Sequence, residues 1–265
     1  MKHSPGSDFL YQLFALIVSL IVVHSVYVTV VRPNADLILQ QQRAQQAAGE
    51  SFEVNRSIFV VIKDFEQEAC FILAFWAIAI IGLKAKAALE EQALLARALL
   101  DVPPGTSILP EDARQYSRPL QALPDEEREY LLPRALLSGL QRFGSTRSIQ
   151  DVAGAIREVC ETESNRLDSE LSMTRYIIWA IPSIGFIGTV RGIGEALGQA
   201  HRAVEGDIVG VTVSLGVAFN STFIALVISI FIMFLMHQLQ LAQERLVLDS
   251  QNYCDVSLIR HLQVR

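Results

Sequence analysis

Apolar residues in this chain are grouped into four long blocks separated by more polar segments. The first block runs from Phe9 to Val31 without a formally charged residue, and the fourth runs from Ile208 to Met236. Two shorter blocks lie between them, at Cys70–Leu83 and Tyr176–Val190. A helix needs about 20 apolar residues to cross the hydrocarbon core of a membrane, and each block reaches or approaches that length. The pattern predicts an all-α membrane protein with four transmembrane helices.

The residues that flank these blocks define where each predicted helix begins and ends. Arg32-Pro33 is expected to end the first helix. Ile58–Ile62 lies upstream of the second block in predicted helical continuity, and two lysines can snorkel at the other end of that block. The weakly polar stretch Gly192–Ala200 prolongs the third block. The shorter blocks are thereby long enough to span.

The segment between the second and third blocks predicts a helix, a break and another helix. Lys86–Leu100 is rich in Ala, Leu and Glu and should prolong the second span until Pro103-Pro104-Gly105 stops it. A proline-punctuated stretch follows. At Ser148 a capping signal starts a new helix, whose apolar face is marked by Ile149, Val152, Ile156 and Val159. No proline interrupts this run before Pro182, so the helix should continue into the third span.

These elements divide the chain into six predicted regions. They are a first transmembrane helix (1–32), an outer segment (33–68), a second transmembrane helix (69–84), a cytoplasmic helical region (85–172), a channel-like region with the third and fourth spans (173–236) and a cytoplasmic tail helix (237–265). The sides follow from charge, because Lys and Arg flank the long middle region whereas Val204–Gly210 has neither. The asymmetry is modest, since the first outer loop also holds Arg32, Arg43, Arg56 and Lys63. Both termini are therefore expected in the cytoplasm.

The composition excludes several classes of function. Of all residues 51% are hydrophobic and 19% are charged, and the net charge of -6 offers no basic field for nucleic acid. The three cysteines, Cys70, Cys160 and Cys254, form neither a disulfide framework nor a CxxC pair. No nucleophile with a base and no metal-ligand set converges in the apolar blocks, so we expect no enzyme activity and no cofactor.

Small and hydroxyl-bearing residues are concentrated in the third and fourth blocks. Lipid gives no hydrophobic reward for helix association, so such residues mark helix contacts or a pore wall. The residues expected to have this role are Pro182, Gly185, Gly188, Gly192, Gly216 and Ala218. Polar groups in hydrocarbon also need partners, which predicts that the face with Asn220, Ser221 and Thr222 packs against protein or water. A tightly packed helix pair without a transport role explains the glycines equally well.

Two stretches of these blocks resemble a known family. Pro-x-Ile-Gly-x-x-Gly-Thr-Val-x-Gly-Ile, beginning at Pro182, and the stretch Ala218–Ile230 look like the two signature helices of the MotA/TolQ/ExbB proton-channel family. The resemblance covers roughly residues 165 to 240, and Ala225 stands where that family commonly has glycine. It implies an ion-driven motor subunit of the bacterial inner membrane that converts protonmotive force into mechanical work. Protons or sodium ions would be the transported species.

The resemblance also implies partners and an ion route. It implies a homo-oligomer, a pentamer, in the lipid bilayer around two copies of a single-span ExbD/TolR/MotB-like protein with a membrane carboxylate. Thr189 and Thr222 match the hydroxyls that line the ion route, and Ser221 and Asn220 adjoin them. The last span of ExbB and TolQ carries a glutamate at the position that matches Val217 here, so this chain departs from them.

That departure agrees with the distribution of titratable groups. No Asp or Glu lies in the central part of any apolar block, so the chain lacks a membrane carboxylate with which to carry protons. His24 is a possible relay, although a lone histidine among Leu and Val is more often a packing residue. Arg191 and Glu195 lie four residues apart and can pair, either as an ion pair that ends the span or as an electrostatic gate at the outer mouth. The alternative function is a tetraspan membrane scaffold that conducts nothing.

Overall fold

The computed structural model describes residues 5–47, 57–103, 105–204 and 208–264. Parts of the predicted outer segment (33–68), of the Pro103-Pro104-Gly105 break and of the Val204–Gly210 connection therefore lie outside the described residues. The α-helices of the described residues are α1 (Pro5–Val26), α2 (Arg32–Ala47), α3 (Ile58–Ile62), α4 (Phe65–Leu95), α5 (Ala113–Gln121), α6 (Asp125–Arg128), α7 (Leu131–Thr146), α8 (Ile149–Glu170), α9 (Ser172–Gly198), α10 (Ala200–Val204) and α11 (Val209–Ser257).

Four helical stretches of the described residues are long and apolar enough to cross a membrane. They are Phe9–Gln41, Phe65–Leu95, Ile149–Gly198 and Val209–His261. Each contains one of the four apolar blocks of the sequence. The protein is therefore an all-α membrane protein with four membrane-spanning helices, which confirms the prediction.

The first span does not end at Arg32-Pro33, so that prediction is wrong. A wide π-helical turn, Tyr27–Val31, joins α1 to α2, and the Arg32 N–H donates to the carbonyl of Tyr27, five residues back. Proline has no N–H, and its ring collides with the carbonyl four residues earlier in a regular α-helix. A π-type turn re-spaces the backbone at such a point, so the helix passes through Pro33 to Ala47.

The helix that contains the second span, Phe65–Leu95, is longer than the predicted span (69–84) but lacks the extensions that the sequence predicts toward Ile58 and Leu100. The predicted continuity of Ile58–Ile62 with the span is wrong, because α3 ends before Lys63 and α4 begins at Phe65. The carbonyl of Asp64 accepts the N–H of Glu68 at 3.1 Å and so opens α4. Acidic side chains in this first turn, Glu66 and Glu68, suit the positive end of the helix dipole.

At its other end α4 stops at Leu95 rather than Leu100. The Tyr253 hydroxyl accepts the N–H of Leu99 at 2.9 Å and that of Leu100 at 3.4 Å. A side chain distant in sequence thus replaces the helical partners of these two groups. The predicted extension to Leu100 is wrong because this tertiary contact outweighs the local helix propensity.

The third and fourth spans follow the prediction closely. The Ser148 hydroxyl accepts the Asp151 N–H at 3.3 Å and caps α8, as the sequence indicated. One turn at Leu171 separates α8 from α9, which then runs through Pro182 to Gly198. The fourth span and the tail form one helix, Val209–Ser257.

The described chain divides into two compact units. One comprises residues 82–172 and 237–264, and the other comprises 5–81 and 173–236. The divisions at 172/173 and 236/237 coincide with two of the region boundaries drawn from the sequence. Each unit has its own interior.

The first unit has an apolar core built mainly from α7 and α8, which are joined by a tight turn at Arg147 with φ of 54°. Leu136, Leu140 and Phe143 are fully buried, and the predicted apolar face of α8 buries Val152 and Ile156 against them. This core includes residues of the proline-punctuated 101–147 segment, in which the sequence analysis located no individual helix. Pro133 lies in the first turn of α7, where proline is tolerated.

The second unit contains the apolar parts of all four spans. In it α1 and α4 run antiparallel: the Trp76 indole donates to the carbonyl of Gln12 at 2.8 Å, and the Tyr11 hydroxyl donates to the carbonyl of Ala79 at 3.2 Å. Both contacts satisfy polar groups inside apolar surroundings, where leaving them unpaired is costly. The contact of α9 with α11 contains the candidate site.

Candidate functional site

Three glycines of α9 allow its backbone to approach α11 closely. A Cβ at Gly188 would lie 2.6 Å from the Cβ of Ser221, and a Cβ at Gly192 would lie 2.8 Å from that of Ala218. A Cβ at Gly185 would collide with Ala225. Any side chain at these positions would separate the helices, so the glycine stripe fits a helix contact within the chain.

Two threonine hydroxyls meet in this contact. The Thr189 and Thr222 Oγ1 atoms are within hydrogen-bonding distance of each other. Each also lies near a backbone carbonyl of the opposite helix, Thr189 3.0 Å from that of Ala218 and Thr222 3.1 Å from that of Gly185. Each hydroxyl has one proton to donate, so two of these three contacts are hydrogen bonds at a time. The pair joins the two helices by side chain and backbone together. Both residues are half-buried, so the pair can be approached from outside the chain.

Ser221 lies beside this pair but bonds in another direction. Its hydroxyl donates to the carbonyl of Val217 at 2.9 Å and accepts from the Gln67 amide at 3.3 Å. Gln67 is fully buried and its amide also donates to the carbonyl of Val61 at 3.1 Å. Ser221 therefore connects the fourth span to the second, a pairing that the sequence did not indicate.

The remaining polar residue, Asn220, is half-buried and lies outside this cluster of described side chains. It is two residues from Ala218 and from Thr222, so its side chain leaves the helix about 160° away from theirs. Gly216 likewise meets nothing within 4 Å when a Cβ is added. Neither residue belongs to the α9–α11 contact.

Pro182 leaves a backbone acceptor that another span satisfies. Because proline has no N–H, the carbonyl of Ile178 loses its usual helical donor. The hydroxyl of Ser229 on α11 donates to this carbonyl at 3.3 Å. Ser229 is buried. Its role could have been predicted from the sequence only by searching the other spans for a hydroxyl that donates to the carbonyl left without a donor by Pro182.

Arg191 lies at the centre of an ion-pair group. Its guanidinium donates to both carboxylate oxygens of Glu66, at 2.7 and 2.9 Å, and to Glu195 at 2.8 Å. The predicted Arg191–Glu195 pair is present, but Glu66 is its more buried partner, with 12% of the side chain exposed against 47% for Glu195. The group ties the second span to the third.

A second ionic group joins the first span to the second. Glu68 is buried, and its Oε1 lies 2.6 Å from His24 Nδ1 while its Oε2 accepts from Arg32. The Arg32 guanidinium also stacks on the Phe65 ring, 4.5 Å from its centroid. His24 is thus not a lone histidine: its partner lies 44 positions away in sequence, where periodicity gives no signal.

Asp64, just before α4, is the least satisfied carboxylate of this region. Its Oδ2 is buried without a hydrogen-bond partner among the described residues, and Lys63 Nζ lies 3.6 Å from its other oxygen. Burial raises the pKa of Asp64 above its usual value, although the charges of Lys63 and Arg191 oppose that shift. Polar and ionic groups are therefore clustered where the second span meets the first, third and fourth.

Among the described residues, the arrangement offers hydroxyls and ion pairs between tightly packed spans, and no nucleophile lies beside a base there. Comparison with protein-family models gave a match to the MotA/TolQ/ExbB proton channel family over residues 127–252. The matched region includes both signature stretches and the threonine pair. Comparisons with curated proteins and with solved structures gave no match.

Proposed function

We propose, from the match of residues 127–252 to the MotA/TolQ/ExbB proton channel family, that the chain belongs to this family and is the multi-span subunit of an ion-driven motor. In this proposal the subunit lies in the bacterial inner membrane with both termini in the cytoplasm. It assembles as a homo-oligomer, a pentamer, around a single-span ExbD/TolR/MotB-like partner. Ion passage, of protons or sodium ions, is converted into mechanical work without enzyme chemistry.

The threonine pair is the observation that carries the proposal. A hydroxyl can donate to a charged carboxylate and accept from a protonated one, so it can remain bonded while a neighbouring carboxyl group cycles. Thr189 and Thr222 are half-buried between two spans, next to glycines that let the two helices approach closely. This pair supplies a polar step at a depth where an ion would otherwise meet only hydrocarbon.

The carrier itself is proposed to come from the partner. Val217 occupies the position that matches the family glutamate, and the fourth apolar block has no acidic residue. A carboxylate on the partner's single span would supply the missing group. This carboxyl group would bind beside Thr189 and Thr222 when neutral and would lose its proton on the other side of the membrane.

A scaffold remains the competing function, because both threonine hydroxyls are already satisfied by backbone carbonyls of the chain. Co-expression with the product of the adjacent gene separates the two. Co-elution of a single-span protein with an aspartate in its span, together with proton-driven work by the complex, supports the motor. A stable oligomer that binds no such protein and drives no work would establish the scaffold.

A further inference from the structure

His24 and Glu68 lie together in the second unit, although they are 44 residues apart in sequence. His24 belongs to the first apolar block, seven residues before Val31, which is about 10 Å along a helix from its charged end. Glu68 lies one turn into α4 and is 7% exposed, whereas the His24 side chain is 54% exposed. The carboxylate is therefore internal, and the imidazole extends from it to the surface of the unit.

The two partners of Glu68 divide its oxygens between them. Oε2 accepts from Arg32, which keeps a permanent positive charge beside the carboxylate. Oε1 lies 2.6 Å from His24 Nδ1. Because an ionised carboxylate can only accept hydrogen bonds, Nδ1 must be the donor. In the neutral ring the proton is then on Nδ1, and Nε2 carries a free lone pair.

We propose that Nε2 of His24 is a proton-binding site of this chain, with Glu68 fixing the ring tautomer and Arg32 balancing the carboxylate. The lone pair of Nε2 takes a proton from a hydronium ion, one O–H bond breaks, and water is left. The group of three changes from net charge 0 to +1, and release reverses the step. This goes beyond the proposed function, in which the partner alone supplies the titrating group.

Other charged or titratable groups near this site differ from His24 in exposure or in partner. Tyr27 on the first span is buried, with Arg32 5.8 Å from its ring, and interacts electrostatically with Glu68, Cys70 and Asp64. Glu66 pairs with Arg191, and Lys63 pairs with Asp64. Of this set His24 combines an internal carboxylate partner with an exposed ring edge, which a proton-binding site requires.

The test is nitrogen NMR of the full chain, labelled with 15N-histidine and reconstituted in liposomes, with His24 assigned by the signal lost in His24→Gln. Spectra recorded over a pH series should show a neutral ring protonated on Nδ1 that becomes protonated on both nitrogens as acid is added. A neutral ring with bare Nδ1, or a ring that takes up no second proton across the series, would overturn the proposal. The wild-type chain alone is sufficient for this test.

A matched pair of variants tests the role of Glu68. Glu68→Leu should abolish the preference for the Nδ1-protonated tautomer, whereas Glu66→Leu, two residues away and paired with Arg191 instead, should retain it. Persistence of the preference in a folded Glu68→Leu chain would show that another group sets the tautomer. If Glu68→Leu does not fold, the wild-type spectrum decides.

Discussion

The hydroxyl of Thr189 on the third span is hydrogen-bonded to the hydroxyl of Thr222 on the fourth. Each hydroxyl also lies within hydrogen-bonding distance of a carbonyl of the opposite helix, Ala218 for Thr189 and Gly185 for Thr222. With one proton on each hydroxyl, two of the three contacts are made at a time. The pair therefore has a structural role beside the one proposed for it in the ion route. Substitutions can separate these two contributions.

Thr189→Val together with Thr222→Val should reduce ion-driven work about tenfold or more while the oligomer still assembles. Valine keeps the shape of threonine but removes the hydroxyl, and an unmade polar contact costs about 1–3 kcal/mol. Work is measured on the complex, and assembly by size-exclusion chromatography. Thr29→Val is the matched control, because the Thr29 hydroxyl donates to the backbone carbonyl of Ser25, one turn back in the same helical stretch, at 2.7 Å. Full activity of the double variant would exclude an ion route past this pair.

Gly188→Leu should destabilise the protein by about 1–3 kcal/mol or more, because the added side chain has no room beside Ser221. Thermal unfolding in detergent measures the effect. Gly194→Leu, six residues along the same helix, should be tolerated since a Cβ there meets nothing within 4 Å. Equal melting temperatures for the two variants would contradict the observed α9–α11 contact.

Glu66→Gln should lower the melting temperature more than Glu195→Gln does. Glu66 binds two guanidinium nitrogens of Arg191 from a mostly buried position, whereas Glu195 is about half exposed and binds one. Exposed i,i+4 pairs contribute about 0.3–0.5 kcal/mol, and bidentate buried pairs contribute more. A larger effect of Glu195→Gln would contradict the conclusion that Glu66 is the stronger partner of Arg191.

Glu163→Ala should destabilise the first unit by about 3–5 kcal/mol, the usual cost of removing one partner of a buried ion pair. Glu163 is 1% exposed and binds both Arg134, at 3.0 Å, and Arg166. Glu161→Ala, an exposed neighbour, is the control and should unfold at the wild-type temperature.

The four spans could be predicted because each contains a charge-free apolar block that reaches the length of a span by itself or with its flanks, and the Ser148 cap because it is local. The passage of the first helix through Pro33 could not be predicted, since a π-type turn is a local adjustment of the backbone that composition does not encode. The early end of α4 depends on the contact of Leu99 with Tyr253, which lie 154 residues apart in sequence. Local patterns define elements but do not define such long-range partners.

The same distinction applies to the site. The small residues at Gly185, Gly188 and Gly192 indicated close packing from their type alone, and the structure gives them a partner helix. Glu68 with His24, and Gln67 with Ser221, were missed because the relative depth of two antiparallel spans determines these pairs. Gly216 and Asn220, grouped with the site by proximity in sequence, lie away from the contact.

The central claim is that the chain forms an ion route only together with a partner that supplies the carrier. Proton flux driven by an imposed gradient should be measured in liposomes that contain the chain alone and in liposomes that contain it with the single-span partner. Moving an ion through hydrocarbon without a complete set of polar steps costs several kcal/mol, and one proton-binding histidine does not complete the set. We expect no flux from the chain alone and flux when the partner is added. Equal flux in both would contradict the shared site and show that the chain is a self-contained channel.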